Sequence, residues 1–93
     1  MVEVELNLLN IFQLRVKKSS IIYEGNKVGD IITKFVEEYK DKLDNELLSN
    51  NKKKLEKKMV IILNGRNIEY LNKYKTELEE GDKLHVSVPL AGG

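Results

Sequence analysis

The chain holds few residues equipped for chemistry of their own. It has no cysteine, so a disulfide, a thiolate metal site and a cysteine nucleophile are all unavailable. Its one histidine, His85, does not make a histidine metal site, and no metal ligands are assigned. His85 alternates with Leu84 and Val86 and is read as an outward-facing cross-strand packing residue. Asp30, Glu37 and Glu38 share one helical stretch, but nothing around them builds a pocket. Capping and solubility explain them better than paired-carboxylate catalysis. Tyr39, Tyr70 and Tyr74 read as core-edge residues rather than ligand stackers. No catalytic residue is assigned, and the chain is not expected to be an enzyme. What stands out is its end, Val88, Pro89, Leu90, Ala91, Gly92 and Gly93. Two terminal glycines cost conformational entropy to order and bury nothing.

A second cluster, Lys52, Lys53, Lys54, Lys57 and Lys58, is interrupted only by Leu55 and Glu56. Such a run attracts nucleic acid or an acidic partner. No aromatic residue interleaves with it, so a stacking platform is missing. A solvated segment joining helix to strand is the preferred reading, and nucleic acid is not expected as a partner. The lysines also offer sites for self-modification. Sixteen basic and fifteen acidic residues leave a net charge of +1, which points to neither nucleic acid nor membrane. No apolar stretch is long enough to cross a bilayer. Glu3 and Glu5, with no basic segment before them, do not look like a signal peptide, so a cytoplasmic protein is expected. Ninety-three residues make one domain, large enough to bury roughly 60–65% of its unfolded surface.

The elements that must position these residues follow from periodicity. Val2, Val4, Leu6 and Leu8 alternate with polar neighbours and predict a half-buried strand. Residues 13–19 read as a return loop, and Ser20 to Glu24 as the second strand of an antiparallel hairpin. Val28, Ile31, Ile32, Phe35, Val36 and Tyr39 fall on one face of a helix, with Asn26 the nearest capping residue and Asp30 favoured at its positive end. Leu43 and Leu47 extend that stripe. Residues 59–63 are continuously apolar, which predicts a strand buried on both faces. Asn64-Gly65 is the strongest short turn signal, suited to a type I′ hairpin. Arg66, Asn67 and Ile68 would form a brief strand. Leu84, Val86 and Val88 make a last strand, closed by Pro89. One main helix with four or five strands, the first and last central in a mixed sheet, predicts an α+β, β-grasp (ubiquitin-like) fold. The boundaries expected are a domain over 1–88 and a flexible tail over 89–93.

Val28-Gly29-Asp30, the segment Leu63-Asn64-Gly65-Arg66-Asn67-Ile68, the turn Glu80-Gly81-Asp82 and the ending Val88-Pro89-Leu90-Ala91-Gly92-Gly93 together resemble the MoaD/ThiS family. That family includes the small subunit of molybdopterin synthase, archaeal small modifier proteins and the eukaryotic ubiquitin-related modifier. The resemblance implies a sulfur carrier or protein modifier activated at Gly93. A ubiquitin-activating-type enzyme would use ATP to adenylate the Gly93 carboxylate, in a narrow channel that a Gly92-Gly93 backbone enters without a Cβ. Sulfur delivered by a partner would then give a thiocarboxylate for molybdopterin synthesis or tRNA thiolation. Alternatively, a target-protein lysine would take Gly93 in an isopeptide bond. The implied partners are the activating enzyme and either the molybdopterin synthase large subunit, a tRNA-thiolating enzyme or target lysines. No cofactor is bound; ATP belongs to the activating enzyme. Val88, Pro89, Leu90 and Ala91 would be the partner-binding part of the tail, and Arg66, His85 and Ser87 are candidate partner contacts. This chain departs from the molybdopterin branch in having Ser87 where large apolar groups are common. Residues 52–58 also look longer than a minimal member needs. The rival readings are a non-covalent ubiquitin-like interaction module with an unreactive tail and, third, a nucleic-acid binder working through residues 52–58.

Overall fold

Alternation sets the first strand, β1 (Val2–Leu8), which buries Val4, Leu6 and Leu8 and turns Glu3, Glu5 and Asn7 the other way. The structure, a computed structural model, describes residues 1–89. Leu90, Ala91, Gly92 and Gly93 lie outside the described residues, and so do the expectations placed on them. β1 pairs antiparallel with β2 (Ser20–Gly25) and parallel with the last strand, β5 (Lys83–Ser87). β5 pairs antiparallel with β3 (Val60–Leu63), which turns into a short edge strand, β4 (Arg66–Asn67). The sheet order is β2-β1-β5-β3-β4, with the first and last strands central as the β-grasp reading requires.

Two α-helices are present among the described residues, not one main helix alone. The first part of the return loop expected over residues 13–19 belongs instead to α1 (Asn10–Val16). Its reason is visible in the spacing: Phe12 and Val16 are four apart, both buried, so one helical face plugs the end of the core. Lys17 stops the helix in the left-handed region, at φ 65° and ψ 31°, and donates its N–H to the Gln13 carbonyl. In α2 (Val28–Tyr39) all six predicted apolar positions are buried. Phe35 joins the two helices, its ring centroid 6.3 Å from that of Phe12 and 5.7 Å from that of Tyr39. Fully burying each Phe is worth roughly 2–3 kcal/mol.

Asn26 does not cap α2. Asp30 does so from inside the helix, its Oδ2 accepting the N–H groups of Asn26 (2.9 Å) and Lys27 (3.0 Å). After Tyr39 the chain leaves α2, and Leu43 and Leu47 rejoin the core through a turn and a 3-10 turn, Asn45–Leu47. β3 is not buried on both faces. Ile61 and Leu63 are buried while Val60 and Ile62 are half-buried, because both helices lie against the opposite side of the sheet. Asn64 and Gly65 take φ of 50° and 89°, as the predicted turn demands. The Asn64 side chain also reaches β5. Its Nδ2 donates to Asp82 Oδ1 (2.9 Å) and its Oδ1 accepts the Lys83 N–H (3.0 Å). Ile68 leaves the strand for a 3-10 turn, Ile68–Tyr70, that buries Ile68. Tyr70 is no core-edge residue, since that turn leaves it 88% exposed. Tyr39 is buried and Tyr74 half-buried. Among the described residues no helix is long and apolar enough to cross a membrane.

Candidate functional site

β5 is the element that decides where the chain end leaves the domain. Its inward residues Leu84 and Val86 are fully buried, and its backbone is paired on both sides, to β1 and β3. Such a strand is held rigidly up to its last residue. The Leu9 N–H donates to the Val86 carbonyl (3.0 Å), which ties the end of β5 to the entry of α1. Beyond it Val88 is half-buried against the core, and Pro89 is exposed. With no N–H to donate, Pro89 cannot extend the ladder. Pro89 therefore stands at the rim, and Leu90, Ala91, Gly92 and Gly93, the proposed reacting end, lie outside the described residues.

The outward residues of β5 are Lys83, His85 and Ser87. Register places His85 beside Asn7 on β1 and opposite Ile62 on β3, and Ser87 opposite Val60. His85 and Ser87 thus share the open face, about 7 Å apart along the strand. His85 is half-buried between its cross-strand neighbours, in keeping with a packing role. Ser87 Oγ lies within hydrogen-bond reach of the Val88 carbonyl (2.8 Å) and of Asn10 Oδ1. Its one hydroxyl proton serves one of them at a time, and only the bond to Asn10 ties the strand end to α1. Arg66 is not brought to this face. It pairs with Leu63, whose side chain is in the core, so it projects at the exposed edge on the helix side.

Sequence reasoning missed the apolar part of the open face. Ile22 on β2 is 56% exposed, and Val60 and Ile62 are half-buried there. Period-two counting from the inward Ile21 and Tyr23 would have assigned Ile22 to this side. Val60 and Ile62 were hidden by the continuous apolar run. The phenol of Tyr23 is pushed well above its ordinary value by burial and by its hydrogen bond to Glu38 Oε1 (2.6 Å). It stays protonated and clips β2 to α2. No group of three or more His, Cys, Asp or Glu comes together among the described residues.

The five lysines of residues 52–58 lie on an ordered loop. A bridge between Leu48 and Leu55 closes it. The Ser49 N–H donates to the Lys54 carbonyl and the Glu56 N–H to the Leu47 carbonyl, both at 2.9 Å. Leu55 is buried and all five lysines are exposed, as a solvated connecting segment requires.

The model of the ThiS family matches residues 10–93 of this chain. No curated protein sequence matches it. Solved structures do. The solution structure of small archaeal modifier protein 1 from Methanosarcina acetivorans is 23% identical, covers 100% of this chain and 98% of its own, and superposes with a TM-score of 0.85. The Haloferax volcanii HVO 2177 protein is 29% identical over 99% of this chain and 87% of its own, with a TM-score of 0.77. A chain in the Amycolatopsis orientalis BexX/CysO complex is 21% identical over 97% of this chain and 99% of its own, with a TM-score of 0.70. These likenesses show the shared β-grasp fold.

Proposed function

The chain belongs to the ThiS family of ubiquitin-like carriers and modifiers, and from that premise we propose that it works through its C-terminal carboxylate, activated at Gly93 by a separate adenylating enzyme. The observation that carries this reading is the placement of β5. A central strand, paired on both sides and tied to α1, ends at a rim where Pro89 is exposed. A partner that docks on the domain therefore meets Pro89, the last described residue, at a fixed place relative to β5.

The Gly93 carboxylate would attack the α-phosphorus of ATP on the partner enzyme, releasing pyrophosphate and leaving an acyl-adenylate. Hydrosulfide delivered through that partner, or a lysine amine of a target protein, would then attack the acyl carbon and expel AMP. The first route ends in a thiocarboxylate and the second in an isopeptide bond. This chain has no thiol of its own, so the sulfur must arrive from outside. The domain's part is recognition, with Lys83 and His85 on the open face of the strand that leads to the tail and Ile62 beside them on β3. CysO has been solved in complex with BexX, and a comparable protein partner is proposed here.

The test is incubation with the cognate activating enzyme and ATP, read by intact mass for adenylate, thiocarboxylate or conjugate at Gly93. Removing Gly92 and Gly93 should abolish all three while the thermal midpoint holds. A shortened chain that keeps its biological activity would leave the non-covalent interaction module as the correct reading.

A further inference from the structure

A surface groove of about 490 Å³ opens on the helix side of the sheet, away from the face that carries His85. Its floor is aliphatic: Leu48, Leu55, Ile61 and Ile68, all buried, with Met59 beside them. Tyr74 forms one wall. The volume falls inside the roughly 300–1,000 Å³ of ligand-sized sites. The core does not need this groove, and activation of the chain end does not use it.

Its walls are braced from behind. The Val28 N–H at the start of α2 donates to the Thr76 carbonyl (3.0 Å), just past Tyr74. Gly29 lies so close that a Cβ there would stand 3.2 Å from the Tyr74 carbonyl oxygen. The opposite wall is the loop closed by the Leu48–Leu55 bridge. A groove with both walls fastened asks little ordering of itself on binding.

The rim selects the occupant. Lys54, Lys57 and Lys73 stand on it, with Lys54 Nζ 5.4 Å from the centroid of the Tyr74 ring. Lys52, Lys53 and Lys58 lie on the same loop. Of the two rim acids, Glu56 is turned to its own backbone, its Oε2 accepting the Lys58 N–H (2.7 Å). Among the described residues lining the groove, that leaves Glu69 to oppose the lysines. An apolar floor ringed by ammonium groups matches aliphatic side chains flanked by carboxylates. A nucleic acid fits less well, because Tyr74 is the one aromatic residue lining the groove and an aliphatic floor gives bases nothing to stack on.

We propose that this groove docks a segment of a partner protein in which aliphatic side chains are flanked by acidic ones. It is a second recognition site, independent of Gly93. The side chains of Lys83, His85 and Ser87 point to the other side of the sheet, so both faces can be occupied together.

The probe is a short synthetic peptide with a leucine run flanked by aspartate and glutamate, titrated into the full chain and followed by amide chemical shifts. Three controls accompany it: the same leucines flanked by lysine, the same acids flanking serine, and a single-stranded oligonucleotide. The acidic-leucine peptide should shift the amides of residues 48–59 and 67–74, and high salt should weaken it. The triple variant K54E/K57E/K73E should keep the native amide spectrum and its adenylation, but lose roughly tenfold or more in affinity. Equal binding of the lysine-flanked peptide, preference for the oligonucleotide, or shifts confined to the His85 face would each overturn the proposal. So would groove amides that move when residues 90–93 are deleted, since the chain's own end would then be the occupant. Loss of adenylation on deleting Gly92 and Gly93 leaves this proposal untouched, so the two ideas fail separately.

Discussion

Asp30 occupies the first turn of α2, where backbone N–H groups have no helical partner. Its carboxylate reaches back and accepts the N–H groups of the two residues that lead into the helix, Asn26 and Lys27. Those hydrogen bonds, ahead of the nearby Lys27 and Lys34 charges, hold its pKa below the ordinary value of 3.8. A depressed folded-state pKa stabilises the protein above the unfolded value, and that share is lost as pH falls through the folded value. Asp30→Ala should therefore cost about 1 kcal/mol at neutral pH. The gap between variant and parent should narrow below about pH 4. Urea titrations at neutral and acidic pH check this, and a cost that stays constant with pH would mean that the charge is irrelevant. The exposure of Asp30 keeps the effect small.

At the scale of elements, α1 is the one that periodicity alone does not reveal. Its two turns are shorter than most helices and end on a residue poorly suited to the task. Lys17 sits in the left-handed region at φ 65°, where a side chain costs about 1 kcal/mol and glycine costs almost nothing. Lys17→Gly should raise stability by about 1 kcal/mol, read as a higher urea midpoint at unchanged slope. An unchanged or lower midpoint would show that α1 frays there. The elements that were legible had long patterns with a single solution: β1 by alternation, α2 by six apolar positions, the Asn64-Gly65 turn by its dipeptide. The missed features had ambiguous patterns. Phe12 and Val16 are only one helical repeat, and a run such as residues 59–63 cannot say which face is covered. At the candidate site, spacing located His85 and Ser87 on one outward face. It could not show that Arg66 falls on the other side, which depends on its pairing with Leu63. Nor could it show that residues 52–58 build one wall of a groove, because that requires Leu48 and Leu55 to meet.

Over the whole molecule, the proposed function gives β5 two tasks that its alternation keeps apart. Leu84 and Val86 point into the core, fully buried, while Lys83 and His85 point to the open face, where Lys83 stands beside Glu5 and His85 beside Asn7. Stability and partner recognition should therefore respond to neighbouring residues of the same strand in opposite ways. Leu84→Ala removes a fully buried side chain from the strand that pairs β1 with β3, and should cost about 2–5 kcal/mol. At temperatures where that variant stays folded, its adenylation under the proposed function should run near the parent rate, because the open face is unaltered. Lys83→Gln together with His85→Gln should change stability by about 1 kcal/mol or less for each substitution, yet slow activation by weakening docking to the adenylating enzyme. Thermal melts and initial adenylation rates on the two variants separate the effects. If the double variant is activated at the parent rate, the open face is not the docking surface. The partner must then read the tail and the rim around Pro89 alone, leaving β5 with only the task of aiming the chain end.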